Sequence, residues 1–203
     1  MANFQKEVEE RCLMDIDYRD ARIEDCTQIA EYIDYASDGI LECLFKGNAA
    51  GMGVAQVLTY GLENEYGYNT YKSVIVAEYQ RSIIGIVQSY SSIHHRIDDE
   101  MKEFFSKEKL EQFKEFYDSR IENSLLVNAM FVEPTFRCIG IGTKLLSLSR
   151  IKAKSLGFDK LSLFVLADNI NALRVYSSFG FNKEKEIKPV NHNTEILLMS
   201  CNV

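Results

Sequence analysis

Apolar positions along the chain change period several times, and each change predicts an element. Ile16–Ala21 reads as a short strand. From Asp25 to Ser37, Ile29, Ala30, Ile33 and Ala36 recur at helical spacing, and Gly39 follows as a stop signal. A second helix is predicted from Ala50 to Glu65. Ser73–Tyr79 and Ile83–Tyr90 are β-branched runs joined by Gln80-Arg81-Ser82, the pattern of an antiparallel hairpin. Residues 96–121 are dense in charge, with Met101, Phe104, Phe105, Leu110, Phe113, Phe116 and Tyr117 at mostly three- and four-residue intervals, as in an amphipathic helix or helix pair. Ser124–Val132 is the most hydrophobic strand, ended by Pro134. A helix from Ile141 to Ser155 with Gly157 as its C-cap, a strand over Leu161–Leu166, a helix over Asn169–Phe179 ended by Gly180, and strands over Phe181–Ile187 and Glu195–Cys201 complete the chain.

Antiparallel strands come first in this order, then one β-α-β unit whose strands should be parallel neighbours. The expected class is α/β (an α+β mixed sheet), mostly antiparallel with one parallel pair and helices on both faces. No low-complexity tract, repeat or Pro/Gly/Ser linker interrupts the chain, so residues 1–203 are expected to form a single domain. Residues 1–14 are expected to be a tail or short helix, and residues 94–121 a helical insertion between the third and fourth strands.

Composition narrows the partners. Acids outnumber bases 30 to 23, for a formal charge of −7. A phosphate backbone attracts basic patches, so nucleic acid is not expected, whereas a cationic acceptor such as an amine is compatible. The five cysteines show no CxxC or metal-type spacing, and reduced thiols in a cytoplasmic protein without a bound metal are expected. The start MANFQKEVEERCLMD lacks the apolar core of a secretory signal. Apolar runs such as Ile83–Val87 are far short of the ~20 residues a membrane span needs, so no membrane partner is expected.

The chemistry concentrates at Val132-Glu133-Pro134-Thr135-Phe136-Arg137-Cys138-Ile139-Gly140-Ile141-Gly142-Thr143, where a strand runs into a turn and two glycines bracket the start of a helix. Glycine lets backbone approach a ligand closely, and the first-turn N–H groups and helix dipole favour an anion that Arg137 would also hold. A phosphate or pyrophosphate fits. The P-loop string is absent, and a dinucleotide fingerprint fails because Leu145 stands where a third Gly or Ala is required. Two glycines and an arginine alone would equally describe a tight turn capping a core helix.

A second segment changes that balance. Leu163 to Phe181 is a strand, an Asn turn and a helix ending in Phe179-Gly180-Phe181. Arg137-x-x-Gly140-x-Gly142, followed by Asn169-x-Asn171-Ala172 with Tyr176 seven residues after Asn169, resembles the two signatures of the GCN5-related N-acetyltransferase (GNAT) superfamily. Tyr18-Arg19-x-Ala21-x4-Asp25 is similar to its first strand and helix. The resemblance spans about residues 16–200 and is strongest over 125–181.

The resemblance implies an acyltransferase that carries an acetyl group from acetyl-coenzyme A, as co-substrate, to a primary amine of a small molecule or peptide in a ternary complex. Backbone groups of Ala129, Met130, Phe131 and Val132 would pair with the pantetheine arm, one N–H polarising the thioester carbonyl. Arg137, Cys138, Ile139, Gly140, Ile141, Gly142 and Thr143 would cradle the pyrophosphate, and Asn169 would face the cofactor. Tyr176 would be catalytic, protonating the leaving thiolate. An amine with an ordinary pKa of about 10.4 must first lose its proton, and a fixed donor to the developing oxyanion is worth about 10²–10³ in rate. A monomer or homodimer is expected.

The general base is the gap. Relatives that modify ribosomal proteins carry Glu five residues before the motif Asn, where this chain has Phe164; histone-type relatives carry Glu on the strand before the arginine motif, and Ser124–Val132 has no carboxylate. His94, His95, Glu122 or a water chain are the candidates, while Glu133 reads as a solvated turn residue. Phe104, Phe105, Phe113, Phe116 and Tyr117 of the insertion read first as packing and otherwise as a wall of the acceptor entrance, of which the tyrosines between Gly47 and Tyr71 would form another. A non-catalytic acyl-CoA-binding or sensing module is the alternative function.

Overall fold

The computed structural model describes residues 14–47, 51–188 and 194–203. The predicted N-terminal tail (residues 1–13) and the expected helix start at Ala50 lie outside the described residues. The elements are β1 (Asp17–Asp20), α1 (Cys26–Ala36), α2 (Ile40–Phe45), α3 (Val54–Glu63), β2 (Val74–Tyr79), β3 (Ser82–Ser91), α4 (Asp99–Phe104), α5 (Lys107–Asp118), β4 (Ser124–Val132), α6 (Ile141–Ser155), β5 (Lys160–Leu166), α7 (Ile170–Phe179), β6 (Asn182–Ile187) and β7 (Ile196–Asn202).

The strands form one seven-stranded sheet in the order β1-β2-β3-β4-β5-β7-β6. Every pairing is antiparallel except β4–β5, whose strands are joined by α6 as a crossover. The mixed sheet expected from the element order is therefore the one observed. The β2–β3 hairpin turns on Gln80 and Arg81, both left-handed (φ 50° and 66°), the backbone that matches strand twist although neither residue is Gly or Asn.

Period-two alternation divides the core between the two faces of the sheet. Val76 and Ile86 turn towards α1 and α3 and pack with Ile29, Ile33 and Leu62. Ala77, Val87, Leu125 and Leu163 turn the other way, against Ile141, Leu145, Leu146 and Tyr176 of α6 and α7. Each fully buried Leu contributes about 1.5–3 kcal/mol, and Leu145 and Leu146 are both at 0% exposure. Gly85 lets α6 approach the sheet: a Cβ there would lie 3.0 Å from the Phe131 carbonyl oxygen and 3.4 Å from the Ile141 side chain.

The insertion is a helix pair. Asp98 caps α4 by accepting from Met101 N at 2.9 Å, and Ser106 restarts the chain as α5 by accepting from Lys109 N at 3.2 Å. Phe105, Leu110 and Phe113 pack on Leu44 of α2. Sequence pattern did not predict α2 as an element. Gly39, a stop signal in the sequence pattern, at φ 83° both follows α1 and opens α2.

Candidate functional site

The sheet opens in its middle. Parallel pairing of β4 with β5 runs from Ser124↔Lys160 to Val127↔Leu163 and stops. Beyond it, β4 stays paired with β3 as far as Gly85↔Val132, and β5 stays paired with β7 as far as Leu166↔Ile196. The β5-facing edge of Asn128–Val132 is therefore free of a strand partner. A shift in the β3–β4 register, Gln88↔Ala129 followed by Ser89↔Val127, leaves Asn128 unpaired as a bulge at the apex of the opening.

At one end of the opening, β4 runs through the turn at Pro134–Phe136 into the loop that starts α6. Cys138 is left-handed at φ 64°, and Gly140 (φ 92°) is the N-cap of α6 with no side-chain cap. Among the described residues no protein acceptor takes the backbone N–H of Cys138, Ile139 or Gly140, and Ile141, Gly142 and Thr143 head the helix, where N–H groups lack intrahelical partners. Arg137 donates from Nε to the Val132 carbonyl at 2.8 Å, with its guanidinium 5.7 Å from the Phe131 ring. That bond holds the exposed guanidinium beside the free N–H groups. The result is an anion cradle of several N–H donors, a helix dipole and one cation.

Asn169 and Tyr176 belong to α7, the helix that follows β5. Asn169 caps α7, accepting from Ala172 N at 3.2 Å, and its amide donates to Asp38 Oδ2 at 3.3 Å. Tyr176 is 7% exposed, and its hydroxyl has no hydrogen-bond partner among the described residues. Burial first, and the Asp38 carboxylate second, push the phenol up to about 12, so it stays protonated at neutral pH. Asp38 lies between α1 and α2 at φ 48° and is exposed. The α1–α2 connection thus brings a carboxylate to the start of α7.

The candidate bases are placed differently. His95 is 2% exposed, with Nε2 3.0 Å from the Phe116 carbonyl oxygen. Its ring packs against Phe116, Tyr117 and Phe164, and burial lowers its pKa to about 4. It is a neutral packing residue that ties the insertion to β5. His94 is exposed and stacks on Tyr68 at 5.5 Å, and Glu122 is exposed on the loop before β4. Glu133 is not the solvated turn residue expected: the Tyr32 hydroxyl lies 2.6 Å from its Oε1 and joins the β4 end to α1. Three of the insertion's phenylalanines follow the packing reading: Phe105 and Phe113 are buried against α2 and Phe116 packs on Phe164, while Phe104 is exposed.

Sequence reasoning missed a polar chain on the same side of the sheet as α1. Tyr90 donates to Asn128 Oδ1 at 2.8 Å, Asn128 donates to Gln88 Oε1 at 2.8 Å, and Gln88 donates to Asn69 Oδ1 at 2.9 Å. The available signal was an amide side chain inside each of two strongly apolar strands, Gln88 in β3 and Asn128 in β4.

Comparison with known proteins agrees with this geometry. The model of the Acetyltransferase (GNAT) family matches residues 15–181, and the chain belongs to that family. No match emerges among curated proteins. An N-acetyltransferase from Staphylococcus aureus Mu50 superposes with a TM-score of 0.67 at 21% identity, covering 91% of this chain and 100% of its own. A putative acetyltransferase from Salmonella typhimurium, solved with acetyl-CoA, gives 0.58 at 17% identity over 92% and 93%. The NatC complex bound to Gag peptide and CoA gives 0.55 at 16% identity over 94% and 99%. These likenesses show the fold.

Proposed function

We propose that the protein is an N-acetyltransferase that moves an acetyl group from acetyl-CoA to a primary amine of a small molecule or peptide. The observation that carries the reading is the opening itself: β4 has an unpaired edge at Asn128–Val132, and the same strand runs on into the anion cradle at Arg137–Thr143. When bound, acetyl-CoA supplies an activated acyl carbon joined to a good leaving sulfur. The cradle suits its pyrophosphate, since six N–H groups and Arg137 offer more donors than one phosphate needs. The free β4 edge suits the amide-bearing arm, which can pair with a strand that lacks a neighbour.

Tyr176 acts as the donor to the departing sulfur. With a pKa raised to about 12, full proton transfer to a thiolate of ordinary basicity, near 8.5, is uphill by a few pKa units. Tyr176 therefore stabilises the developing charge by hydrogen bonding, and the proton lost by the amine balances the one gained by sulfur. Asp38, exposed and within electrostatic reach of Tyr176, is the carboxylate on the acceptor side that can attract an ammonium and take up its proton through water.

The test mixes protein, acetyl-CoA and a panel of primary amines and follows free thiol, beside a thermal melt with and without acetyl-CoA. Ligand at 100 times its Kd should add about 2.7 kcal/mol of stability, and at least one amine should release thiol. A melt that does not respond to millimolar acetyl-CoA sinks the reading. A shift with no turnover on any amine leaves only the non-catalytic binding module.

A further inference from the structure

The polar chain through Gln88 and Asn128 has no place in the transfer chemistry described so far, although it lies at the apex of the opening. Asn128 is the bulged residue of β4, without a register partner on β3 or β5. Its side chain crosses the bulge instead. Oδ1 accepts from the Tyr90 hydroxyl and Nδ2 donates to Gln88 Oε1, each at 2.8 Å. Gln88 and Tyr90 stand on either side of Ser89 in β3, where the register shifts. Asn128 is thus held from both sides of the irregularity, by two bonds that a regular ladder would not contain.

The anchor of this bridge is deep. Gln88 is 0% exposed, and its amide also donates to Asn69 Oδ1 at 2.9 Å and Ser73 Oγ at 3.3 Å. A buried amide is costly unless its donors and its acceptor are met, and Asn128 supplies the partner of that acceptor. Asn128 itself is exposed. Burial holds the Tyr90 phenol well above its ordinary value, so no member of the chain gives or takes a proton near neutral pH. Its effect is geometric. A bulge bends and twists a strand locally and re-aims the groups beside it. This one stands where pairing with β5 ends, at the head of the free edge Asn128–Val132.

We infer that Asn128 is a positioning residue: held by Tyr90 and Gln88, it fixes the β4 bulge and so the place of the backbone donor that meets the thioester carbonyl of bound acetyl-CoA. This rests on the transfer reading above and gives three side chains a role in it that requires no contact with the reacting atoms. The oxyanion that develops on that carbonyl gains most from a donor already in place, because no reorganisation is then needed. A displacement of about 1 Å can forfeit about 10²-fold in rate. Two hydrogen bonds across the bulge set direction as well as distance, which apolar packing alone does not.

The experiment binds acetyl-CoA, isotope-labelled at the acetyl carbonyl, and reads the infrared stretch of that carbonyl beside the melt shift and kcat with a primary amine. Wild type is compared with Asn128→Ala, Tyr90→Phe and Ser73→Ala. Asn128→Ala removes both bonds across the bulge, and Tyr90→Phe removes one while leaving Gln88 satisfied. Ser73→Ala loosens the far end of the same network without touching Asn128. In wild type the stretch should lie lower bound than free. Asn128→Ala should return it most of the way to the free value, with kcat about ten- to a hundredfold lower and the Kd for acetyl-CoA within about threefold of wild type. Tyr90→Phe should do the same in smaller measure, and Ser73→Ala should match wild type. No lowering in wild type, or a wild-type stretch in Asn128→Ala or Tyr90→Phe, overturns the inference. An equal loss in Ser73→Ala also overturns it, because that would mark a general loosening of the fold. If acetyl-CoA shifts the melt but no amine releases thiol, the transfer reading fails and the stretch alone decides Asn128 by the same criteria. A melt that does not respond to acetyl-CoA overturns both.

Discussion

The two sides of the β4–β5 opening are built from different materials. On the side of α6 and α7, the working groups are backbone: free N–H groups over Cys138–Thr143 and an unpaired strand edge, with Arg137 and Tyr176 as the chief side chains. On the side of α1–α3, they are side chains drawn from segments far apart in sequence: Asp38, Tyr68, Asn69, Gln88, Tyr90 and Asn128. A backbone site depends on φ and on where pairing stops, so it tolerates wide sequence change while keeping a short glycine signature. A side-chain site changes with each substitution. The first side is suited to a ligand that stays the same across the family, the second to one that varies.

Several substitutions test that division. The largest effect is expected from Tyr176→Phe, which should lower turnover by about 10²–10⁴ with the acetyl-CoA melt shift nearly intact. Unchanged turnover where chemistry limits the rate would remove Tyr176 from the mechanism. Arg137→Glu should weaken acetyl-CoA binding about ten- to hundredfold, since it replaces a charged donor with an anion. An unchanged acetyl-CoA melt shift would mean that Arg137 does not hold the pyrophosphate.

A pH effect separates packing from chemistry on the acceptor side. Burial lowers His95 from 6.5 to about 4 in the folded protein. Between those values the unfolded chain binds the proton and the folded chain does not, so stability present above pH 6.5 is lost as pH falls towards 4, by on the order of 3 kcal/mol in full. His95→Gln should therefore show a smaller drop in melting temperature than wild type between about pH 7.5 and about pH 5. An identical drop would mean that His95 is not the protonation-sensitive group. Excising the whole insertion is a poorer test, because it would also uncover Leu44 and Phe164.

The smallest effect concerns the cradle. Cys138 holds a left-handed φ of 64° that an L side chain resists. Cys138→Gly should relieve about 1 kcal/mol and raise the melting temperature by about 2–4 °C. A lower melting temperature would show that the thiol side chain contributes packing that outweighs the backbone strain.

Chain order and hydrophobic period were sufficient for the sheet, its parallel pair and the helices on each face. The turn that opens α6 was legible because Gly140 holds a left-handed φ of 92°, which favours glycine. Glu133 departs from its reading as a solvated residue, since a place beside a turn does not say which partner lies opposite. The short helix α2 was hidden by the glycine that opens it.

What the sequence determined by itself was therefore local: periodicity, turn residues, and the spacing from Arg137 to Gly142 and from Asn169 to Tyr176. Only the tertiary structure decided that Asp38 meets Asn169, that Tyr90 reaches the bulge at Asn128, and that His95 is buried while its neighbour His94 is exposed. Those contacts join residues whose separation along the chain carries no period. They exist because strand register, one bulge and the docking of a helix pair bring distant side chains to one place.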